Sequence, residues 1–228
     1  MIQDIYPSKL DNGFAACTPS DGDALMVFDE EGRLLAKNDE GAIVFPAVSE
    51  AAGKLRYLFA LDDTKYFLAC TPCEITGYDP YPVRKLRDTG KGKELFAAFT
   101  AYHLWKWYTD NGFCGHCGSP LEDDDRERAL RCSKCGNIVY PRINPAVIVG
   151  VINGDSILIT RYRRGYAHNA LIAGFAEIGE TLEETVAREV MEEAGIKVKN
   201  IRYTSPSRGV WPRICLSDFT ARQTGILR

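Results

Sequence analysis

The sequence predicts an α/β (α+β) protein in which a small β-rich N-terminal domain and a cysteine ribbon precede a strand–loop–helix domain. Three observations predict it. Short apolar runs broken by turn dipeptides fill roughly the first 90 residues. Two CxxC pairs then stand 14 residues apart. Finally, a glycine-containing loop leads into a glutamate-rich amphipathic helix.

The pieces follow in order as 1–92, a linking helix at 93–112, the ribbon at 113–144 and the last domain at 145–228. In the first, Ala24–Phe28, Gly41–Phe45 and Tyr57–Ala60 read as strands, with Asp21-Gly22 and Glu31-Gly32 as turns. Cys70-Thr71-Pro72-Cys73 lies in an apolar stretch with no second pair beside it, and we read its thiols as ordinary half-buried ones. From Lys93 to about Tyr108, Leu95, Phe96, Phe99, Tyr102, Leu104, Trp105 and Trp107 form a broad helical stripe closed by Asn111-Gly112. Such a face can hold a nucleobase, but we read it as a packing surface. Beyond the ribbon, Ala146–Ile152, a Gly154-Asp155 turn and Ser156–Arg161 read as strands. A helix follows from about Leu182 to Ala194, with Gly195 at its C-cap.

Bulk properties narrow the function. A chain of 228 residues, 45% hydrophobic and 26% charged, is neither disordered nor membrane-spanning by composition. A net charge of -3 and a pI near 5.7 give no support to a general nucleic-acid binder, which carries a basic face. The opening MIQDIYPSKLDNG has no apolar core of a secretion signal, and no apolar run nears the roughly 18 residues of a spanning helix. The expectation is a cytoplasmic protein. Its 8 cysteines, six of them in CxxC pairs, then point to metal rather than disulfides.

Cys114, Cys117, Cys132 and Cys135 form CxxC-x14-CxxC, with Gly118 and Gly136 after each pair to permit a tight turn. Four thiolates complete a tetrahedral site with no position open to water, so one Zn2+ per chain is expected in a structural role. His116 is read as a bystander. The linking run Glu122-Asp123-Asp124-Asp125 would repel phosphate, which favours a scaffold or dimer role over nucleic-acid binding.

The chemistry lies in Gly174-Phe-Ala-Glu-Ile-Gly-Glu180 and the helix after it. Glu189, Glu192 and Glu193 are spaced i, i+3, i+4, which places three carboxylates on one helix face. Like charges so gathered call for divalent cations, and an all-oxygen donor set suits Mg2+ or Mn2+. Val186, Val190 and Ala194 supply the apolar face. Gly174 and Gly179 let the loop approach closely, and Arg188 can pair with Glu180 to lock loop to helix.

From Gly174 to Ile196 the chain fits GX5EX7REUXEEXGU at each specified position, and so resembles the Nudix hydrolases. The resemblance implies an α/β/α sandwich with this segment as loop–helix–loop. It implies hydrolysis of a nucleoside diphosphate linked to another group. It casts Glu189, Glu193 and the carbonyl of Ala173 as metal ligands, Glu192 as ligand or base, and Gly174, Glu180, Arg188 and Gly195 as structural. A zinc ribbon directly before the box resembles the NADH pyrophosphatase (NAD diphosphatase) branch, from about Val83 through Tyr203. That implies a homodimer splitting NAD or NADH into NMN(H) and AMP and removing NAD caps from RNA. Tyr140 matches a nucleotide-contacting tyrosine and Arg84 a nucleotide-contacting arginine, with Arg87 the weaker match; Tyr140-Pro141 also reads as a simple linker turn.

The resemblance ends at Thr204. A Ser-Gln-Pro-Trp signature and a later metal-binding glutamate of the branch are lacking, and the printed tail predicts no alternating strands. With suitable codons, a shifted frame through Pro206–Pro212 reads Gln-Pro-Trp-Gly and continues strand-like. We therefore expect a frameshifted, incomplete last domain; with the tail as it stands, the chain should show poor stability and weak or absent activity. Two alternatives stand beside the NAD diphosphatase: a Nudix hydrolase of ADP-ribose, nucleotide sugars or nucleoside triphosphates, and a zinc-ribbon binding module with a catalytically dead Nudix domain.

Overall fold

The computed structural model describes residues 2–40, 42–50, 52–90, 92–161, 168–208 and 214–224, in two units, Met1–Arg142 and Ile143–Arg228. In the first unit, Leu10–Asp11, Leu55–Leu61, Thr64–Ala69 and Ala24–Met26 form one sheet in that order, and Ala42–Val44, Arg33–Asp39 and Asp79–Pro82 form another. Leu25, Val27, Leu35, Val48, Phe67 and Ile75 make a core between them. Cys17 and Cys73 pack at its margin as free thiols. Burial pushes the thiols of Cys17 and Cys70 up, which suits inert side chains.

The helix Gly92–Asp110 buries residues on most of its circumference, including Phe96, Phe99, Leu104 and Trp107. Its remaining aromatics are engaged as well. Trp105 stacks on Phe28 with centroids 5.1 Å apart and on Tyr102 at 5.6 Å. Gly32, at φ 76°, leaves room for that indole, because a Cβ there would lie 2.9 Å from its ring. The aromatic stripe is packing.

The ribbon hairpin is tied to the same unit by charge. Asp123 accepts from Lys54 Nζ at 2.6 Å and Arg56 Nε at 2.8 Å, and Arg56 lies over the Tyr108 ring. Arg128 donates to the carbonyl and side chain of Asn12 and to the carbonyl of Leu58. Asp124, 8% exposed, pairs with Arg131 at 2.6 Å. Two of the four acidic residues expected to repel phosphate are therefore already neutralised within the protein.

In the second unit the strand Asn144–Asn153 organises a mixed sheet. On one side it pairs antiparallel with Ile172–Phe175 and the short Ser156–Ile157. On the other it runs parallel to Ile214–Gln223, which pairs antiparallel with Val198–Arg208. The strand expected over Ser156–Arg161 is split into Ser156–Ile157 and Thr160–Arg161. The helix Leu182–Ala194 covers one sheet face, where Val186 and Val190, both 0% exposed, meet Val147, Val149, Val151, Ile172, Phe219 and Ala221. Each buried valine contributes about 1.5–3 kcal/mol.

The tail corrects one expectation. Of the residues read as lacking strands, Thr204–Arg208 continue the strand Val198–Arg208 and Ile214–Gln223 form another. Phe219 and Ala221 enter the core, and Tyr203 meets Phe219 edge-on at 5.6 Å. A long apolar partner strand supplies the register that the tail's own pattern does not announce. The shifted-frame reading centres on residues of which 209–213 lie outside those described.

Candidate metal-dependent hydrolase site

The box helix is defined at both ends by local chemistry. Thr181 caps it: its hydroxyl accepts from the Glu184 amide at 3.2 Å, while the Glu184 carboxylate accepts from the Thr181 amide at 2.8 Å. Gly195 closes it at φ 68°, its amide on the Met191 carbonyl. The Thr181-x-x-Glu184 signature is present in the sequence, though our reading of it passed over that pair.

Arg188 joins loop and helix. Its Nε and Nη2 reach both Glu180 oxygens at 2.7 and 3.0 Å, and Nη2 also donates to the Phe175 carbonyl at 2.9 Å. Its Nη1 donates to Glu189 at 2.7 Å and to Glu192 at 3.1 Å. The fork places four acceptor groups around one cation, a geometry that a lysine could not reproduce. The Phe175 carbonyl had no sequence signal.

The predicted ligands sit as follows. Glu189 is largely buried (side chain 13% exposed) and Glu192 is open to solvent (59%). Burial first, and then the charge of Glu189, pushes the Glu193 carboxyl above the usual carboxylate range. Ala173 and Gly174 lie on the strand Ile172–Phe175, in register with Ile148 and Val147. A Cβ at Gly174 would fall on the Glu189 carboxylate. This glycine is thus a cradle for a charged side chain. An oxygen-only donor set with two mutually repelling carboxylates fits a hard divalent cation. The three carboxylates have not drawn together: among the described residues, only the four ribbon cysteines have ligand atoms all within 4.8 Å of one another. Arg188 meanwhile supplies the counter-charge.

Gly174→Ala is expected to eject the Glu189 carboxylate and weaken Mn2+ binding at least roughly tenfold, as for residues that orient a metal ligand. Mn2+ titration followed by electron paramagnetic resonance checks this, with circular dichroism to show an intact fold.

Glu180 carries its own pH signature. The hydrogen bond from Arg188, and then that from the Glu177 amide, pull its carboxyl down to about 2. Because the folded value lies below the ordinary 4.5, its contribution to stability is complete above about pH 4.5 and is lost as pH falls towards 2. Acid titration by tryptophan-independent circular dichroism should show a loosening in that window that Glu180→Gln lacks.

The ribbon site is built by two matching knuckles. The Gly118 amide donates to the Cys114 carbonyl at 2.8 Å and the Gly136 amide to the Cys132 carbonyl at 2.9 Å, with both glycines left-handed at φ 73° and 74°. Cys114 and Cys135 sulfurs lie 3.6 Å apart, and those of Cys117 and Cys132 3.5 Å apart. A tetrahedral ion bound at about 2.3 Å sets its sulfurs about 3.8 Å apart, so the four cysteines fit zinc. Donation from the Cys117 amide draws the Cys114 thiol down to about 6, preparing a thiolate. At Cys135 the Asn137 amide favours the thiolate, but burial and three sulfur neighbours outweigh it and push that thiol up to about 12.

Arg84 and Tyr140 belong to the first unit and are both exposed. Tyr140 donates its hydroxyl to Glu127 at 2.8 Å, a partner the sequence did not announce.

Comparison with known proteins agrees with this geometry. Residues 142–224 match the NUDIX domain. Residues 110–140 match the NADH pyrophosphatase zinc ribbon domain. The NAD-capped RNA hydrolase NudC of Klebsiella pneumoniae is 46% identical and that of Citrobacter koseri 42% identical, each over 147 residues. Those matches cover 63% of this chain and 56% of the relative, so the chain spans little more than half the length of the curated relatives it matches. Among solved structures, a NUDIX hydrolase from Nitrosomonas europaea is 26% identical with a TM-score of 0.45, covering 50% of this chain and 68% of that one.

Proposed function

We propose that this chain hydrolyses the pyrophosphate bond of NAD(H), releasing NMN(H) and AMP, and removes NAD caps from RNA, as a cytoplasmic homodimer. What supports the reading most is one observation: an intact Glu189/Glu192/Glu193 face, locked by Arg188 and cradled at Gly174, in a chain that also holds the four-cysteine ribbon. The NudC relatives, named as NAD-capped RNA hydrolases, point to the same substrates. No described helix is long and apolar enough to cross a membrane.

A divalent cation such as Mg2+ or Mn2+ held here would neutralise phosphate charge and acidify water. Glu189 and Glu193, with the Ala173 carbonyl, are the groups that would hold it. Glu192, open to solvent, accepts the proton of the attacking water. Arg188 fixes the end of the strand that carries Ala173 and Gly174, and the loop after it, against the helix. Tyr140 and Arg84 contact the nucleotide, with Glu127 orienting the tyrosine hydroxyl.

The test is Mn2+- or Mg2+-dependent release of AMP from NADH, from NAD-capped RNA and from ADP-ribose by the full chain. Turnover of the first two supports the reading. Turnover of ADP-ribose alone, or of none, overturns it.

A further inference from the structure

Within the box helix one polar residue stands where the helical pattern calls for an apolar one. Thr185 is 0% exposed and lies next to Val186, itself fully buried. Its hydroxyl reaches the Glu180 carboxylate at 3.0 Å and the Thr181 carbonyl at 3.1 Å. A hydroxyl has one proton, so it donates to one of these at a time. The carbonyl already accepts the Thr185 amide at 3.0 Å, as the helix requires, whereas the carboxylate is charged and is the stronger acceptor.

With Thr185, four donors surround the Glu180 carboxylate: Arg188 Nε at 2.7 Å, Arg188 Nη2 at 3.0 Å, the Glu177 amide at 3.1 Å and this hydroxyl. Three of these donors meet Oε2 and one meets Oε1, so both oxygens are engaged and the rotamer is held. Arg188 takes its orientation from that group, and its Nη1 in turn holds Glu189 and Glu192. The hydrogen-bond chain therefore runs from a buried hydroxyl through Glu180 and Arg188 to the candidate metal carboxylates.

We propose that Thr185 is a positioning residue that sets divalent-cation affinity by fixing Glu180, and through it the arginine that orients Glu189. The proposal rests on the metal-site reading above. Without the hydroxyl, Glu180 keeps three donors and regains freedom to rotate. Arg188 then loses its fixed anchor and follows Glu189, competing with the cation for the same oxygen. Partners of this kind typically change metal affinity by about 10–100-fold.

The experiment is Mn2+ titration of the full chain by electron paramagnetic resonance, comparing the parent with Thr185→Val, Thr185→Ser and Glu193→Gln. Thr185→Val keeps the shape and removes the donor; Thr185→Ser keeps the donor. The expected result is a Mn2+ Kd about tenfold higher in Thr185→Val and within about twofold of the parent in Thr185→Ser, with far-ultraviolet circular dichroism unchanged in both. Parent-like Mn2+ affinity in Thr185→Val overturns the proposal, as does equal weakening in the serine variant. If the valine variant fails to fold, Thr185→Ala, which also removes the donor, takes its place: parent-like affinity in serine and loss in alanine support the role, and parent-like affinity in alanine or equal loss in both overturns it. A parent whose Mn2+ binding is unchanged by Glu193→Gln overturns the metal-site reading itself, a result separate from any difference among the Thr185 variants.

Discussion

Glu193→Gln is expected to lower metal-dependent turnover by roughly 100-fold or more while leaving the fold intact. Residues that merely orient a ligand already change metal affinity or activity by about 10–100-fold, so loss of a ligand should do at least as much. The variant isolates charge from shape: glutamine fills the same space at an exposed position of the helix, and no packed apolar contact of Val186 or Val190 is disturbed. It also removes a charge that burial, and then repulsion from Glu189, disfavours at this position. Thermal stability should therefore stay level or rise slightly as activity falls. Steady-state rates at saturating Mn2+, together with a melting curve, check this. Unchanged turnover would remove the basis for reading the box carboxylates as catalytic.

The second large effect concerns the ribbon. Cys132→Ser, or exhaustive chelation, is expected to unfold the hairpin formed by Leu121–Asp123, Leu130–Cys132 and Ile138–Val139. Such short strands have little core of their own, and zinc binding in comparable sites is worth an apparent 10–16 kcal/mol at neutral pH (roughly, and strongly pH-dependent). The damage should spread. Asp123 holds Lys54 and Arg56, and Arg128 holds Asn12 and Leu58, so a melted ribbon releases the edge of the sheet containing Leu55–Leu61. Hydrogen exchange should report faster amide exchange in Leu55–Leu61 as well as in the ribbon, and metal analysis should show one zinc per chain in the parent. Protection of Leu55–Leu61 unaltered by zinc loss would contradict the coupling.

Much of the site was legible because its chemistry is local. The spacing of Glu189, Glu192 and Glu193, the Arg188–Glu180 pair, the Gly195 cap and the four cysteines each depend on neighbours within a turn or a knuckle, where sequence distance is a good proxy for space. The helix at Gly92–Asp110 followed for the same reason. What escaped depends on partners far along the chain. The acidic run before the second knuckle reads as charge that repels phosphate, yet Asp123 finds Lys54 and Arg56. The tail looked irregular because Ile214–Gln223 takes its register from Asn144–Asn153 rather than from its own alternation. Thr185 was invisible because a threonine on an apolar face announces no acceptor.

That strand has a temporal consequence. Ile214–Gln223 is made after both of the strands between which it lies, Asn144–Asn153 and Val198–Arg208. Until it emerges, the ribosome-bound chain presents the stretch Val147-Ile148-Val149-Gly150-Val151-Ile152 with its amides and carbonyls unpaired along that side. Such an uncharged β-prone stretch is a template for self-association. Late closure of a distant parallel pair is also slow. Newly made chains therefore face an aggregation hazard in the interval before this strand inserts.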